Sequence, residues 1–218
     1  MQNEVHVLQC YLNLPFVQTE RMQQTLSRDE LERAGRFRFP HDRTNFIAAR
    51  GTLRAILGGY LHIRPDKVRF RYGTFGKPEL ANTQNEKIIS FSVSHSGDLA
   101  VYSVALSRKT GVDIEYVRSC TEMEDIAERY LSRSESFLLK SYPRHMRQKA
   151  FFMYWTRREA YLKALGTGLS GLEDPFPADV NAPWSFTDLH IADGYAACLA
   201  VEGREFSLKC LRWAGPPE

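Results

Sequence analysis

The sequence predicts an α+β fold of two pseudo-symmetric α/β subdomains, residues 1–106 and 107–218, each an antiparallel-rich sheet packed on a long helix, with the active site in the cleft between them. Three observations carry this. Each half runs in the same order: strand, short helical segment, long helix, then antiparallel strands. The two long helical segments, about Asp42 to Leu57 and about Met146 to Leu165, each stop at glycines, Gly58-Gly59 and Gly166 with Gly168. The remaining segments alternate apolar and polar residues and are joined by tight turns. No residue-level repeat accompanies the shared plan, and a cleft between two such units is the natural ligand site.

The elements follow from local signals. Val5 to Leu12 reads as the first strand, and Ser27 with Glu30 is a capping box for a short helix from Arg28 to about Arg36. Pro40 and His41 break the chain ahead of the first long helix, whose apolar stripe is Phe46, Leu53, Ile56, Leu57 and Tyr60. Lys67 to Tyr72 is a strand leading into the loop Gly73–Glu79. Lys87 to Ser94 and Leu99 to Leu106 form a hairpin around His95-Ser96-Gly97-Asp98. Thr121 with Glu124 opens a helix to about Leu131, and Ser134-Glu135 opens another that ends before Pro143. Trp184 to Ile191, Tyr195 to Val201 and Phe206 to Trp213 are closing strands, and the tail from Gly215 is frayed.

Composition narrows the class. The chain of 218 residues is 43% hydrophobic and 12% aromatic, enough for a substantial core. No apolar run is long enough to cross a membrane, and the N-terminus lacks the basic-then-apolar order of a signal peptide. The four cysteines show no close spacing, which points to reduced thiols in the cytoplasm. The net charge of +3 is too mild for a dedicated nucleic-acid binder. It is uneven, however: residues 28–71 hold eleven Lys/Arg against five acids. An anionic ligand that docks on the first part and reacts at the second fits this asymmetry.

The candidate chemistry starts at Gly111-Val112-Asp113-Ile114-Glu115. A strand period of 2 puts Asp113 and Glu115 on one face, where they repel unless a cation or proton sits between them. Two hard oxygen ligands suit Mg²⁺ and a phosphate substrate, although an ordinary strand with a solvated acidic face fits these five residues equally. Arg43, Arg50 and Arg54 share a helix face and could grip phosphate bidentately, or could pair with nearby acids. Glu159 and Lys163 stand at i,i+4, a spacing that more commonly marks an ion pair of about 0.3–0.5 kcal/mol.

Four ordered blocks go further together: Gly76-Lys77-Pro78, Phe91-Ser92-Val93-Ser94-His95-Ser96-Gly97, the Gly111–Glu115 strand, and Trp155-Thr156-Arg157-Arg158-Glu159-Ala160-Tyr161-Leu162-Lys163. In these the chain resembles the 4′-phosphopantetheinyl transferases of the Sfp type, with two pseudo-symmetric halves in one chain. Arg158 departs from the family's usual Lys; it keeps the charge but cannot give up a proton.

The resemblance implies Mg²⁺-dependent transfer (Mn²⁺ being a possible substitute) of the phosphopantetheine arm of coenzyme A to a serine of an acyl or peptidyl carrier protein, releasing 3′,5′-ADP. On that reading residues 1–106 grip the coenzyme A phosphates and residues 107–218 carry the metal site. Asp113, Glu115 and Glu159 hold the ion. Glu159, directly or through a water, takes the serine proton, Lys163 stabilises the leaving oxygen, and Asp113 is the third catalytic residue. Arg50 contacts the 3′-phosphate, with Arg33, Arg43 and Arg54 as further candidates. Lys77, Pro78, Ser94 and His95 line the rest of the coenzyme A site. The carrier docks on residues 122–146, and the enzyme is a cytoplasmic monomer that binds neither nucleic acid nor membrane. The competing readings are a metal-dependent nucleotide phosphohydrolase using the same acids, and a nucleic-acid-binding module that leaves those acids without a purpose.

Overall fold

Alternation in Glu4–Tyr11 makes β1, a strand buried on both faces: Val5 and Val7 look one way, Leu8 and Cys10 the other. The computed structural model describes residues 3–81, 88–172, 176–177 and 183–215. After β1 come α1 (Phe16–Gln23), α2 (Arg28–Ala34) and the long α3 (Pro40–Leu61), then a 3₁₀ turn at Pro65–Lys67. Two short strands, β2 (Phe70–Tyr72) and β3 (Pro78–Leu80), pair with each other. The hairpin β4 (Ile89–Ser96) and β5 (Leu99–Leu106) follows, then β6 (Thr110–Tyr116). The second half continues with α4 (Met123–Tyr130), α5 (Arg133–Ser141), the long α6 (Arg144–Leu165), and β7 (Trp184–Asp188), β8 (Tyr195–Glu202) and β9 (Ser207–Arg212).

The expected α+β architecture is what forms. One sheet has the order β4-β5-β1-β9 and carries α3; the other has the order β6-β8-β7 and carries α6. Leu53 and Leu57 of α3 meet Leu8, Phe91 and Tyr102 in one core cluster. A second cluster joins the opposite face of the first sheet to the second sheet through Val5, Val101, Val112, Ile114 and Leu199. The last strand, β9, returns to the first sheet and pairs parallel with β1, Val5 against Leu208.

Several boundaries differ from the sequence reading. Pro40 does not break the chain: it opens α3 at the first helical position, where its missing N–H costs nothing. Nor do Gly58 and Gly59 end α3, which runs on to Leu61 and stops at His62 in the left-handed region. Gly58 is there for contact, since a Cβ would lie 2.8 Å from the Ile63 carbonyl oxygen. Helix α1 has no side-chain cap and gave no signal. Thr121 does not cap α4, and the capping box of α5 is Ser132 with Glu135, two residues earlier than expected. The hairpin strand β4 continues through His95 and Ser96, leaving Gly97-Asp98 as the turn. Lys67 is in the 3₁₀ turn, so only residues 70–72 of the expected strand pair. Lys87 and the tail residues 216–218 lie outside the described residues.

Candidate active site between the two sheets

Strand β6 presents Asp113 and Glu115 toward α6 because Val112 and Ile114, on its other face, are fully buried against the first sheet. The strand lies close on the helix only because residue 111 is glycine. A Cβ there would stand 2.0 Å from the Ala160 carbonyl oxygen and 2.4 Å from the Ala164 nitrogen. Ala160 and Ala164 lie on the face of α6 packed against Cys198 and Ala200 of β8. This close approach sets Glu159 and Lys163, one residue before each alanine, beside the β6 carboxylates.

Asp113 is 2% exposed. Its Oδ1 accepts from Lys163 Nζ at 2.6 Å and from Ser94 Oγ at 2.8 Å, and Lys163 also donates to Ser94 Oγ at 2.7 Å. The ion-pair reading of Glu159 with Lys163 is therefore not the geometry: Lys163 reaches across to the strand. Asp113 Oδ2 and Glu159 Oε1 are both buried without a hydrogen-bond partner. Glu115 Oε2 accepts from Ser96 Oγ at 3.0 Å.

The electrostatics are those of crowded acids. Burial raises the Glu159 pKa, with Asp113 and Glu115 adding to the rise and Lys163 opposing it. Burial and then Asp113 raise Glu115, against the Ser96 hydrogen bond and the charges of Lys163 and Arg118. Among the described residues no group of three His, Cys, Asp or Glu side chains stands arranged to hold a metal ion. The donor set nonetheless fits a hard divalent cation: two orphaned carboxylate oxygens and two glutamates short of positive charge are what such an ion would satisfy.

The other predicted residues fall in separate places. Lys77 Nζ donates to the Ala164 carbonyl at 3.1 Å, near the C-terminal end of α6, and burial lowers its pKa to about 8. Lys77, Pro78, Phe91, Leu162 and Lys163 line a cavity of about 200 Å³ between the two halves. Through Lys77, Pro78 and Phe91 it shares walls with a cavity of about 410 Å³ that reaches Ile88 and Lys109. His95 is exposed on β4, and desolvation, Lys163 and Arg33 together lower its pKa.

The arginines do not form one grip. Arg50 Nε donates to Glu30 Oε1 at 2.5 Å, its Nη2 donates to the Tyr72 hydroxyl, and the guanidinium lies 4.4 Å from the Phe70 ring centroid. Arg54 Nε donates to Glu30 Oε2 at 2.7 Å and its Nη1 to the Val68 carbonyl at 2.8 Å. Arg43 is at the surface. Sequence reasoning did not single out Arg36, which with Arg33, Phe37 and Tyr72 lines a cavity of about 610 Å³. Arg158 is buried and donates to the Leu172 carbonyl, anchoring the segment after α6.

A family model described as the 4′-phosphopantetheinyl transferase superfamily matches residues 109–203. A second, described as 4′-phosphopantetheinyl transferase, N-terminal, matches residues 16–107. The chain is 41% identical over 212 residues to 4′-phosphopantetheinyl transferase HetI of Nostoc sp., covering 93% of this chain and 90% of that protein. The chain belongs to the 4′-phosphopantetheinyl transferase superfamily. This phosphopantetheinyl transferase is also 34% identical over 149 residues to a putative 4′-phosphopantetheinyl transferase of Synechocystis sp., covering 68% of this chain and 60% of the relative. The holo-(acyl-carrier-protein) synthase of Thermotoga maritima is 28% identical over 44% of this chain and 63% of its own, at a TM-score of 0.34.

Proposed function

We propose that this transferase moves the phosphopantetheine arm of coenzyme A onto a serine of an acyl or peptidyl carrier protein, in a Mg²⁺-dependent reaction that releases 3′,5′-ADP. The observation that carries the reading is the junction of Ser94, Asp113 and Lys163, with the orphaned oxygens of Asp113 and Glu159 beside it. Mg²⁺, held by Asp113, Glu115 and Glu159, would neutralise the diphosphate of coenzyme A. Lys163, anchored on Asp113 and Ser94, offers a preorganised positive charge to the oxygen that leaves. Glu159 is the proposed acceptor of the attacking serine's proton, directly or through a water.

Residues 1–106 then grip the phosphates and 107–218 supply the acids. Arg33, Arg36 and His95 are the proposed contacts of the 3′-phosphate. Arg50, which donates to the Tyr72 hydroxyl on the wall of the cavity lined by Arg33 and Arg36, and Arg43 are proposed as further contacts, while Arg54 is held by Glu30 and the Val68 carbonyl. Lys77 and Pro78 line the cavity proposed to take the arm, and Ser94 is joined to its wall through the hydrogen bond from Lys163. The proposed carrier surface is residues 122–146, where Phe137, Leu138 and Met146 are exposed. The enzyme is proposed to act in the cytoplasm as a monomer.

The test is intact-mass analysis of a carrier protein incubated with enzyme, coenzyme A and Mg²⁺. A mass gain of one phosphopantetheine arm on the serine is expected. An unmodified carrier with coenzyme A hydrolysed would overturn the reading in favour of a phosphohydrolase.

A further inference from the structure

The two sheets meet at their edges, β4 of one and β6 of the other, and the meeting has a regular pattern. The Thr110 N–H donates to Ser90 Oγ at 3.3 Å, the Val112 N–H to Ser92 Oγ at 3.2 Å and the Tyr116 N–H to Ser96 Oγ at 3.0 Å. All three pairs are 20 residues apart, so β4 and β6 run parallel in constant register. Serine hydroxyls stand where a neighbouring strand's carbonyls would, and they give these β6 donors partners. The rung at Ser94 breaks the pattern. Its hydroxyl is turned to the Asp113 carboxylate and accepts from Lys163.

Ser96 has a double role. It accepts the Tyr116 N–H, which leaves its single proton for Glu115 Oε2 at 3.0 Å. The orientation of Glu115 is thereby tied to β4, the strand that also carries His95.

We propose that the alternate serines of β4 form a hydroxyl-bridged seam that sets the register of β6 across the cleft, and that Ser96 is a positioning residue for Glu115. The proposal rests on the functional reading above. Ser90 bridges only a backbone N–H, so it separates the seam's structural share from its share in the site.

The experiment compares Ser96→Ala, Ser96→Thr and Ser90→Ala in the full chain. Thermal melting, Mn²⁺ binding without carrier, and the kcat and KM for coenzyme A in the carrier assay are measured for each. Ser96→Ala is expected to weaken Mn²⁺ binding about tenfold and lower kcat about 10–100-fold, with KM for coenzyme A within about twofold of wild type. Ser96→Thr restores both to within about threefold. Ser90→Ala lowers the melting temperature but keeps Mn²⁺ affinity and kcat. If Ser96→Ala does not fold, Ser96→Cys takes its place under the same criteria. Wild-type Mn²⁺ affinity and kcat in the Ser96 variant, or equal losses in Ser90→Ala, would overturn the proposal. A wild-type enzyme that transfers no arm would instead overturn the functional reading on which it rests.

Discussion

Gly111→Ala adds one methyl group at the place where β6 touches α6. The new Cβ would lie 2.0 Å from the Ala160 carbonyl oxygen, 2.4 Å from the Ala164 nitrogen and 3.0 Å from the Ala164 Cα. All three are helix backbone atoms, so no side chain can rotate away. Ordinary contact begins at about 3.5 Å, so strand and helix must separate by roughly 1.5 Å. Overpacking of this kind costs about 1–3 kcal/mol. The functional loss is expected to be larger, because the displaced segment of α6 carries Glu159 and Lys163. A 1 Å misplacement of reacting groups costs on the order of 10²-fold in rate. The assay is kcat and KM for coenzyme A in carrier modification, beside the melting temperature. The expected result is a kcat lowered about 100-fold, a KM changed far less, and a modest fall in melting temperature. Wild-type kcat in a variant that melts like wild type would show that close packing at Gly111 does not set the catalytic geometry.

Glu30→Gln leaves the Arg50 and Arg54 guanidiniums without their shared anion and is expected to destabilise the fold by about 3–5 kcal/mol in urea unfolding at pH 7. Burial works against ionised Glu30, but the Arg54 hydrogen bond, the Ser27 N–H and the two arginine charges outweigh it and hold the carboxyl below its usual 4.5. Its contribution is therefore full above that value and is lost as pH falls through the folded pKa; a gap between wild type and Glu30→Gln that stays constant into acid would contradict this. Lys77, with a pKa lowered to about 8 by burial, loses its charge above that pH, so KM for coenzyme A should rise there. Lys77→Met should remove that rise, and an unchanged pH profile would take Lys77 out of the coenzyme A site. Asp113→Ala removes the acceptor of both Ser94 and Lys163, and transfer should fall to background while circular dichroism stays native; turnover at the wild-type rate in controlled Mg²⁺ would refute the assignment.

The sequence made the α+β plan and the shared face of Asp113 and Glu115 legible because both depend on short-range periodicity; the role expected of these acids came from the resemblance carried by the four motif blocks. Val112 and Ile114 alternate with Asp113 and Glu115, and a strand can satisfy that pattern only by sending the acids to one face. The Ser27–Glu30 capping box was equally local, and it forms as expected. What stayed hidden depends on partners far along the chain. Arg50 and Arg54 do share a face of α3, but only the fold shows that Glu30 holds both. Glu159 and Lys163 have the spacing of an ion pair, yet Lys163 bonds to Asp113, 50 residues away. Gly58 looks like a helix stop, and its packing on Ile63 keeps it inside the helix. The serines at 90, 92, 94 and 96 are a visible period-2 pattern, but their meaning depends on β6, which the sequence does not place beside β4.

The most direct test of the central claim is the anomalous signal of Mn²⁺ in a crystal of the enzyme grown with coenzyme A. The account predicts one peak in contact with Asp113, Glu115 and Glu159, with the diphosphate beside it. A peak elsewhere, or none between these three carboxylates in enzyme that still modifies its carrier, would contradict it.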